Sequence, residues 1–321
     1  MKACAATALA LLVLGQTAVA AQKWNMATPY PDGNYHTENI RQFAAAVDEA
    51  TGGELAITVH SNASLFKAPE IKRAVQSGQV QLGEIIISSL ANEDALYEVD
   101  AVPFLANGFD AAAQLYQITR PYLEERLQKQ GMRLLFSVPW PPQGFYTLEP
   151  AAKAEDFEGV KMRAYNAPTT RLVELLGAVP TTIQAAEVPQ AFAAGVISAM
   201  VTSPQTGVDS QAWDFVKNYY DVQAFIPKNM VFVNERAFKR LDEAQQQAVL
   251  DAAAAAEKRG WETARSANDR LVATLKEKGM SVQPPSPELA AELAAIGAQM
   301  AEEWRAKAGE DGAKILAEIK G

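Results

Sequence analysis

The chain has 321 residues, 29 Lys+Arg against 38 Asp+Glu and a net charge of −9. That balance argues against nucleic acid and anionic membrane surfaces as partners. The length is that of about two domains, and Cys4, the only cysteine, leaves no disulfide and no cysteine-based metal site.

The chain opens MKACAATALALLVLGQTAVAAQKW. One lysine, an apolar run and small residues at Ala18, Ala20 and Ala21 mark residues 1–21 as a secretory leader, cleaved near Ala20 or Ala21. The run is shorter than the about 20 residues of a membrane span, so no membrane insertion is expected.

From Lys23 strand-like and helix-like blocks alternate. KWNMAT precedes a helix through NIRQFAAAVDEA, whose Ile40, Phe43 and Val47 share a face and which stops at Gly52–Gly53. ELAITVH reads as a strand, APEIKRAVQSG as a short helix and VQLGEIIISSL as a strand, a βαβαβ rhythm that predicts a parallel, helix-covered sheet. Helix from about Gly108 to Gln130 leads to the strand MRLLFSVPW, and the proline cluster PWPPQG then interrupts both element types as a crossover between lobes.

Beyond it the rhythm restarts. VKMRAY alternates, with Val160, Met162 and Ala164 on one face and Lys161, Arg163 and Tyr165 on the other. Pro168 suits the start of the helix PTTRLVELL; AVPTTIQ, EVPQAFAAG and VISAMVTS continue as strand, helix and strand. YDVQAF and NMVFVN read as two further strands. Asp242 to Lys278 reads as one helix of roughly 55 Å, interrupted only by Gly260, which must span both lobes or form a coiled coil; a sustained heptad is lacking. The strand MSVQPP follows, then a terminal helix with Ser286 as N-cap and Pro287 in its first turn.

The sequence carries no GxGxxG after a strand, no GxxxxGK[ST] and no GxSxG elbow. His36 and His60 are the only histidines and lack metal-ligand spacing, so neither a metal nor a cofactor is expected.

DFEGVKMR (Asp156 to Arg163), LLGAVPTTI (Leu175 to Ile183) and EVPQAFAAGVIS (Glu187 to Ser198) resemble the central signature of the DctP-type solute-binding proteins of tripartite ATP-independent periplasmic (TRAP) transporters. The leader, the SLFKAPEIKRAVQSG block, the restarted second lobe and the long helix occur in the same order, so the resemblance covers the mature chain. It implies an α/β, two-lobed, type II-like periplasmic binding protein. One lobe is expected from 22–140 plus about 225–260, the other from 141–224 plus about 261–321, with the ligand cleft between them. It also implies a periplasmic receptor, not an enzyme, that delivers a small organic acid to small and large TRAP membrane subunits driven by an ion gradient.

The family arginine that grips the ligand carboxylate falls on Arg163. The residue type fits, because a planar guanidinium fork matches a carboxylate bidentately and tolerates burial better than an ammonium. The plainer alternative is a surface ion pair with Glu158 or Glu149. Where sialic-acid binders carry a second arginine after the crossover, this chain has Gln143; it also has Ser198–Ala199 for the common Asp-Gly, Thr202 for the common Asn, and a shorter connection from Tyr220 to Asn234. Tyr30, Phe66, Trp140 and Phe145 fall at loop ends where an open α/β sheet places its ligand. The expectation is a monocarboxylate with an apolar or aromatic body, with neutral hydrogen bonds from Ser88, Asn166, Thr202 and Ser203. Two other readings stand: a receptor serving an ATP-driven importer or a sensor kinase, and a two-lobed periplasmic enzyme with Glu187 or another cleft carboxylate as base.

Overall fold

A computed structural model describes residues 21–320, so the leader expected over 1–21 lies almost wholly outside the described residues. In the first part of the chain, strands β1 (Gln22–Ala27), β2 (Leu55–His60) and β3 (Leu82–Ile86) alternate with helices α1 (Tyr35–Ala50) and α2 (Ala68–Ser77). Helix α3 (Gly108–Lys129) then leads to β4 (Met132–Pro139). Next come β5 (Gly144–Thr147), β6 (Lys161–Ala164), α4 (Ala167–Leu175), β7 (Val179–Thr182), α5 (Val188–Ala193), β8 (Ala199–Thr202), α6 (Pro204–Asp209) and β9 (Asn218–Tyr220). The chain closes with β10 (Lys228–Asn234), α7 (Glu235–Phe238), α8 (Glu243–Glu277), β11 (Ser281–Gln283) and α9 (Pro287–Lys320), the last interrupted at Gly309.

Two sheets result, each the floor of one lobe, in the orders β2-β1-β3-β10-β4 and β11-β9-β5-β8-β6-β7. The βαβαβ units pair in parallel as their rhythm predicts, β1 against β2 from Gln22↔Leu55 to Ala27↔His60, and β6 against β7 and β8. The sheets are nevertheless mixed. β10 lies antiparallel between β3 and β4, and β5 antiparallel between β8 and β9. Each is the strand that arrives directly from the other lobe, a tertiary exchange to which local periodicity is blind.

The expected strand YDVQAF is corrected. Only Tyr220 belongs to a strand, and the chain from Asp221 runs outside both sheets back toward the first lobe. It pairs instead with the outgoing crossover: Trp140 N donates to Pro227 O at 2.8 Å, Gln143 N to Phe225 O at 2.9 Å, and Ala224 N to Gln143 O at 2.9 Å. Two antiparallel strips of backbone therefore join the lobes.

The long helix spans both lobes, packing on α1 and β4 at one end and on α6 and β11 at the other. It begins with a reciprocal cap, Asp242 Oδ1 accepting from Gln245 N at 2.8 Å, which satisfies a first-turn N–H that has no partner inside the helix. Small residues, among them Ala253, Ala256, Gly260 and Ala264, form its buried stripe. Ser286 caps α9 as expected, accepting from Leu289 N at 3.0 Å. Farther along, fully buried Trp304 donates its indole N–H to Ala95 O at 2.8 Å, fastening this helix to the first lobe.

Each sheet has a hydrophobic core against it, and a further cluster joins Leu96, Val99 and Leu115 to Trp304 and Ile315 of α9. Phe43 of α1 meets Phe136 of β4 with ring centroids 5.4 Å apart in the first lobe, and Phe145 meets Phe157 at 5.6 Å in the second. No described helix is long and apolar enough to cross a membrane.

Candidate ligand-binding site

A cavity of about 780 Å³ lies between the lobes. Arg163 sits at its second-lobe side for reasons visible strand by strand. Gly159 takes the positive φ of +70° that ends the preceding turn, and Met162 and Ala164 of β6 are buried in the core on the opposite face. Arg163 registers with Thr181 of β7 and Met200 of β8, so it projects from the middle of three parallel strands.

Arg163 is 2% exposed, and among the described residues no carboxylate pairs with it, which disposes of a surface pair with Glu158 or Glu149. Nε donates to Ile183 O at 2.9 Å, and Nη1 is buried with no hydrogen-bond partner. Burial pulls the pKa down to about 10, so the group remains a cation at neutral pH. A desolvated, half-satisfied cation beside a cavity is costly unless an anion completes it.

Tyr165, two residues on and just past the end of β6, has its ring centroid 5.1 Å from Arg163 Cζ. Its hydroxyl donates to Gln143 Oε1 at 3.0 Å, and Gln143 Nε2 donates to Pro141 O at 3.0 Å. Gln143 thus lines the cavity at the crossover as a neutral amide.

The first lobe supplies an aromatic wall. Tyr30, in the loop after β1, and Trp140, at the crossover, meet edge to face at 4.9 Å. Both donate to one atom: Tyr30 Oη to Asn229 Oδ1 at 3.1 Å and Trp140 Nε1 to the same oxygen at 2.8 Å. His36 lies behind this wall, its ring 4.3 Å from that of Trp140, and burial pushes its imidazole pKa down.

Thr202 at the end of β8 and Ser203, the N-cap of α6, border the cavity as well; Ser203 Oγ accepts from Thr206 N at 3.2 Å. Asn166 caps α4, accepting from Thr169 N at 3.0 Å, and its Nδ2 reaches across the cleft to Ser88 Oγ at 2.7 Å.

Three expected residues lie elsewhere. Phe145 is fully buried in the second-lobe core against Phe157 and does not line the cavity, because β5 is covered on both faces: Phe145 packs in one core cluster and Tyr146 in another. Phe66 packs on the first-lobe core cluster that contains Ile71 and Val75. Ser88 is fully buried and engaged with Asn166 and does not line the cavity, whereas its neighbour Ser89 does. Glu187 is an exposed rim residue, 3.8 Å from Lys67 Nζ across the mouth, and is not among the residues lining the cavity.

Among the residues that the sequence did not mark for the site, Tyr165 and Asn229 matter most to its geometry. Tyr165 carried a usable signal, since VKMRAY puts it on Arg163's face. Asn229 carried none, because only the insertion of β10 beside β3 brings it under Tyr30 and Trp140.

The model of the family "Bacterial extracellular solute-binding protein, family 7" (DctP) matches residues 26–308. DctP7 of Bordetella pertussis, an extracytoplasmic solute receptor binding pyroglutamic acid, is 55% identical, with a TM-score of 0.93 over 94% of this chain and 100% of that one. DctP6 of the same organism, also binding pyroglutamic acid, is 46% identical, with a TM-score of 0.92 over 93% and 99%. A marine metagenome TRAP solute-binding protein specific for pyroglutamate is 35% identical, with a TM-score of 0.92 over 94% and 99%. The chain belongs to the DctP family of bacterial extracellular solute-binding proteins, and its two-lobed fold is that of the TRAP extracytoplasmic solute receptors.

Proposed function

We propose that this protein is a periplasmic receptor that binds pyroglutamate, or a closely similar small cyclic monocarboxylate, and delivers it to TRAP membrane subunits for uptake. The observation that carries the reading is Arg163, a buried cation lining the cleft with an unpartnered Nη1 and, among the described residues, no carboxylate to neutralise it. A ligand carboxylate supplies the missing charge and accepts the two-pronged donation of the guanidinium. Three relatives at 55%, 46% and 35% identity bind pyroglutamate, which supports the choice among carboxylates.

The neutral lining near Arg163 suits a compact, weakly polar ring, and the other cationic lining residues, Lys72 and Arg171, are already paired with Glu93 and Glu174. Trp140 and Tyr30 offer flat faces, Gln143 stands where a second arginine would favour a second anion, and Thr202, Ser203 and Asn166 offer neutral groups. Binding draws the lobes together about the paired backbone strips at Trp140–Gln143 and Ala224–Pro227. The closed form is what the membrane subunits receive, and the ligand is released unchanged.

Isothermal titration of the mature protein with pyroglutamate, succinate, a hexuronate and sialic acid tests this. Pyroglutamate binds one to one and adds about 2.7 kcal/mol of stability at a hundredfold excess over its Kd, whereas the diacid and the sugar acids bind far more weakly. Absence of pyroglutamate binding, or equal affinity in Arg163→Ala, overturns the reading.

A further inference from the structure

The cleft holds two tyrosine hydroxyls, and the direction in which each proton points follows from its partners. Gln143 Nε2 lies 3.0 Å from Pro141 O. A backbone carbonyl only accepts, so the amide nitrogen must be the atom on that side and Oε1 the atom 3.0 Å from Tyr165 Oη. An amide oxygen also only accepts, so Tyr165 spends its single proton on Gln143. The same logic applies opposite. The indole N–H of Trp140 only donates and lies 2.8 Å from Asn229 Oδ1, which fixes that amide; Tyr30 Oη, 3.1 Å from the same oxygen, must donate to it as well. Both phenol protons are directed into the wall, and what the hydroxyls have left to offer is a lone pair.

Tyr165 is the one placed to use it. It sits two residues from Arg163, just past the end of β6, lines the cavity with it, and has its ring 5.1 Å from the guanidinium carbon. An acceptor beside the carboxylate anchor reads the atom next to the carboxylate-bearing carbon. Resting on the reading of a carboxylate held by Arg163, we propose that Tyr165 is a specificity-determining residue whose hydroxyl oxygen accepts a hydrogen bond from an N–H adjacent to the ligand carboxylate. The ring N–H of a lactam acid supplies that donor. An isosteric lactone acid places an oxygen lone pair against that of Tyr165, and the acceptor stays unpaired in a desolvated site.

Gln143 then has a task that the arginine of sialic-acid binders could not perform. Its oxygen holds the Tyr165 proton away from the ligand, whereas a guanidinium has no acceptor and would leave that proton free to turn inward.

The test compares pyroglutamate with its γ-lactone isostere, in which an oxygen replaces the ring N–H, by titration calorimetry on the wild type, Arg163→Ala, Tyr165→Phe and Gln143→Met. The wild type is expected to prefer the lactam at least about a hundredfold, because a site built to pair a ligand N–H rejects the analogue lacking it. Tyr165→Phe brings the two within about tenfold by weakening the lactam. Gln143→Met narrows the ratio from the other side, since the freed hydroxyl turns its proton to the lactone and tightens it. Equal affinities in the wild type, with pyroglutamate still bound and still dependent on Arg163, overturn the inference and leave the receptor reading intact. A large ratio that survives both Tyr165→Phe and Gln143→Met overturns the assignment to Tyr165. Failure of pyroglutamate to bind at all overturns the receptor reading itself, and the inference with it.

Discussion

Asn34 of the first lobe donates its Nδ2 to Asp209 Oδ2 of the second at 2.7 Å, while Gln205 Nε2 donates to Oδ1 of the same carboxylate at 2.7 Å. Asn34 is the N-cap of α1 and Asp209 the last residue of α6, so the contact ties the lobes together. No cation pairs with Asp209 among the described residues. Burial raises its pKa from 3.8 to about 6, against the opposing pull of the two donated hydrogen bonds.

A raised carboxyl pKa means that the folded state binds the proton more tightly than the unfolded chain. The associated stability is complete below about 4 and disappears as pH rises through about 6. Thermal melts from pH 7 to pH 4 are therefore expected to show the wild type gaining stability relative to Asp209→Asn on acidification, by on the order of 1–3 kcal/mol. A difference that is flat across that window removes Asp209 as a titrating latch.

Arg163→Met is expected to separate stability from binding. In the ligand-free protein it replaces a desolvated cation lacking one partner by an apolar chain of similar reach, which raises stability by about 1–3 kcal/mol. Adding pyroglutamate to this variant produces no further rise in Tm. Arg163→Lys keeps the charge but not the fork, and calorimetry is expected to show weaker binding than wild type by about tenfold or more.

Gly260→Ala is expected to destabilise the protein by about 1–3 kcal/mol, although alanine is the better helix former by about 1 kcal/mol. A Cβ at this position would lie 2.4 Å from Val138 Cγ2 and 3.1 Å from Asn39 Nδ2, where α8 crosses β4 and α1. Urea unfolding measures the change; a more stable variant shows that the crossing can open without cost.

Ser88→Ala removes the acceptor of the cross-cleft bond from Asn166 Nδ2. Affinity for pyroglutamate is expected to fall by about tenfold, a loss of about 1.4 kcal/mol, mainly through faster release. Small-angle scattering of the wild type is expected to show a smaller radius of gyration with ligand, and unchanged dimensions at saturation would contradict hinge closure about the crossover strips.

Much of this protein was determined locally and was legible as such. The alternation of VKMRAY placed Met162 and Ala164 in the core and Arg163 on the opposite face, and the structure keeps all three there. The caps Asp242 and Ser286 start their helices where short-range side-chain chemistry puts them. These outcomes depend on neighbours within four residues, a range in which periodicity and hydrogen-bonding capacity act directly.

What lay beyond that range was decided by long-distance pairing. Phe145 and Trp140 both sit near the crossover as aromatic residues, yet one is core and the other cavity wall, because β5 enters the second sheet between β8 and β9. Gly260 read as a possible break in a helix and proved to be the close-packed crossing with Val138. Asn229 became the shared acceptor of Tyr30 and Trp140 only when β10 returned from the second lobe to lie beside β3. The sequence alone determined which face of each element is apolar and that Arg163 stands opposite the apolar face of its strand. The tertiary structure alone decided which distant donors and acceptors meet around it, because those pairings satisfy buried polar groups whose partners are up to about two hundred residues away along the chain.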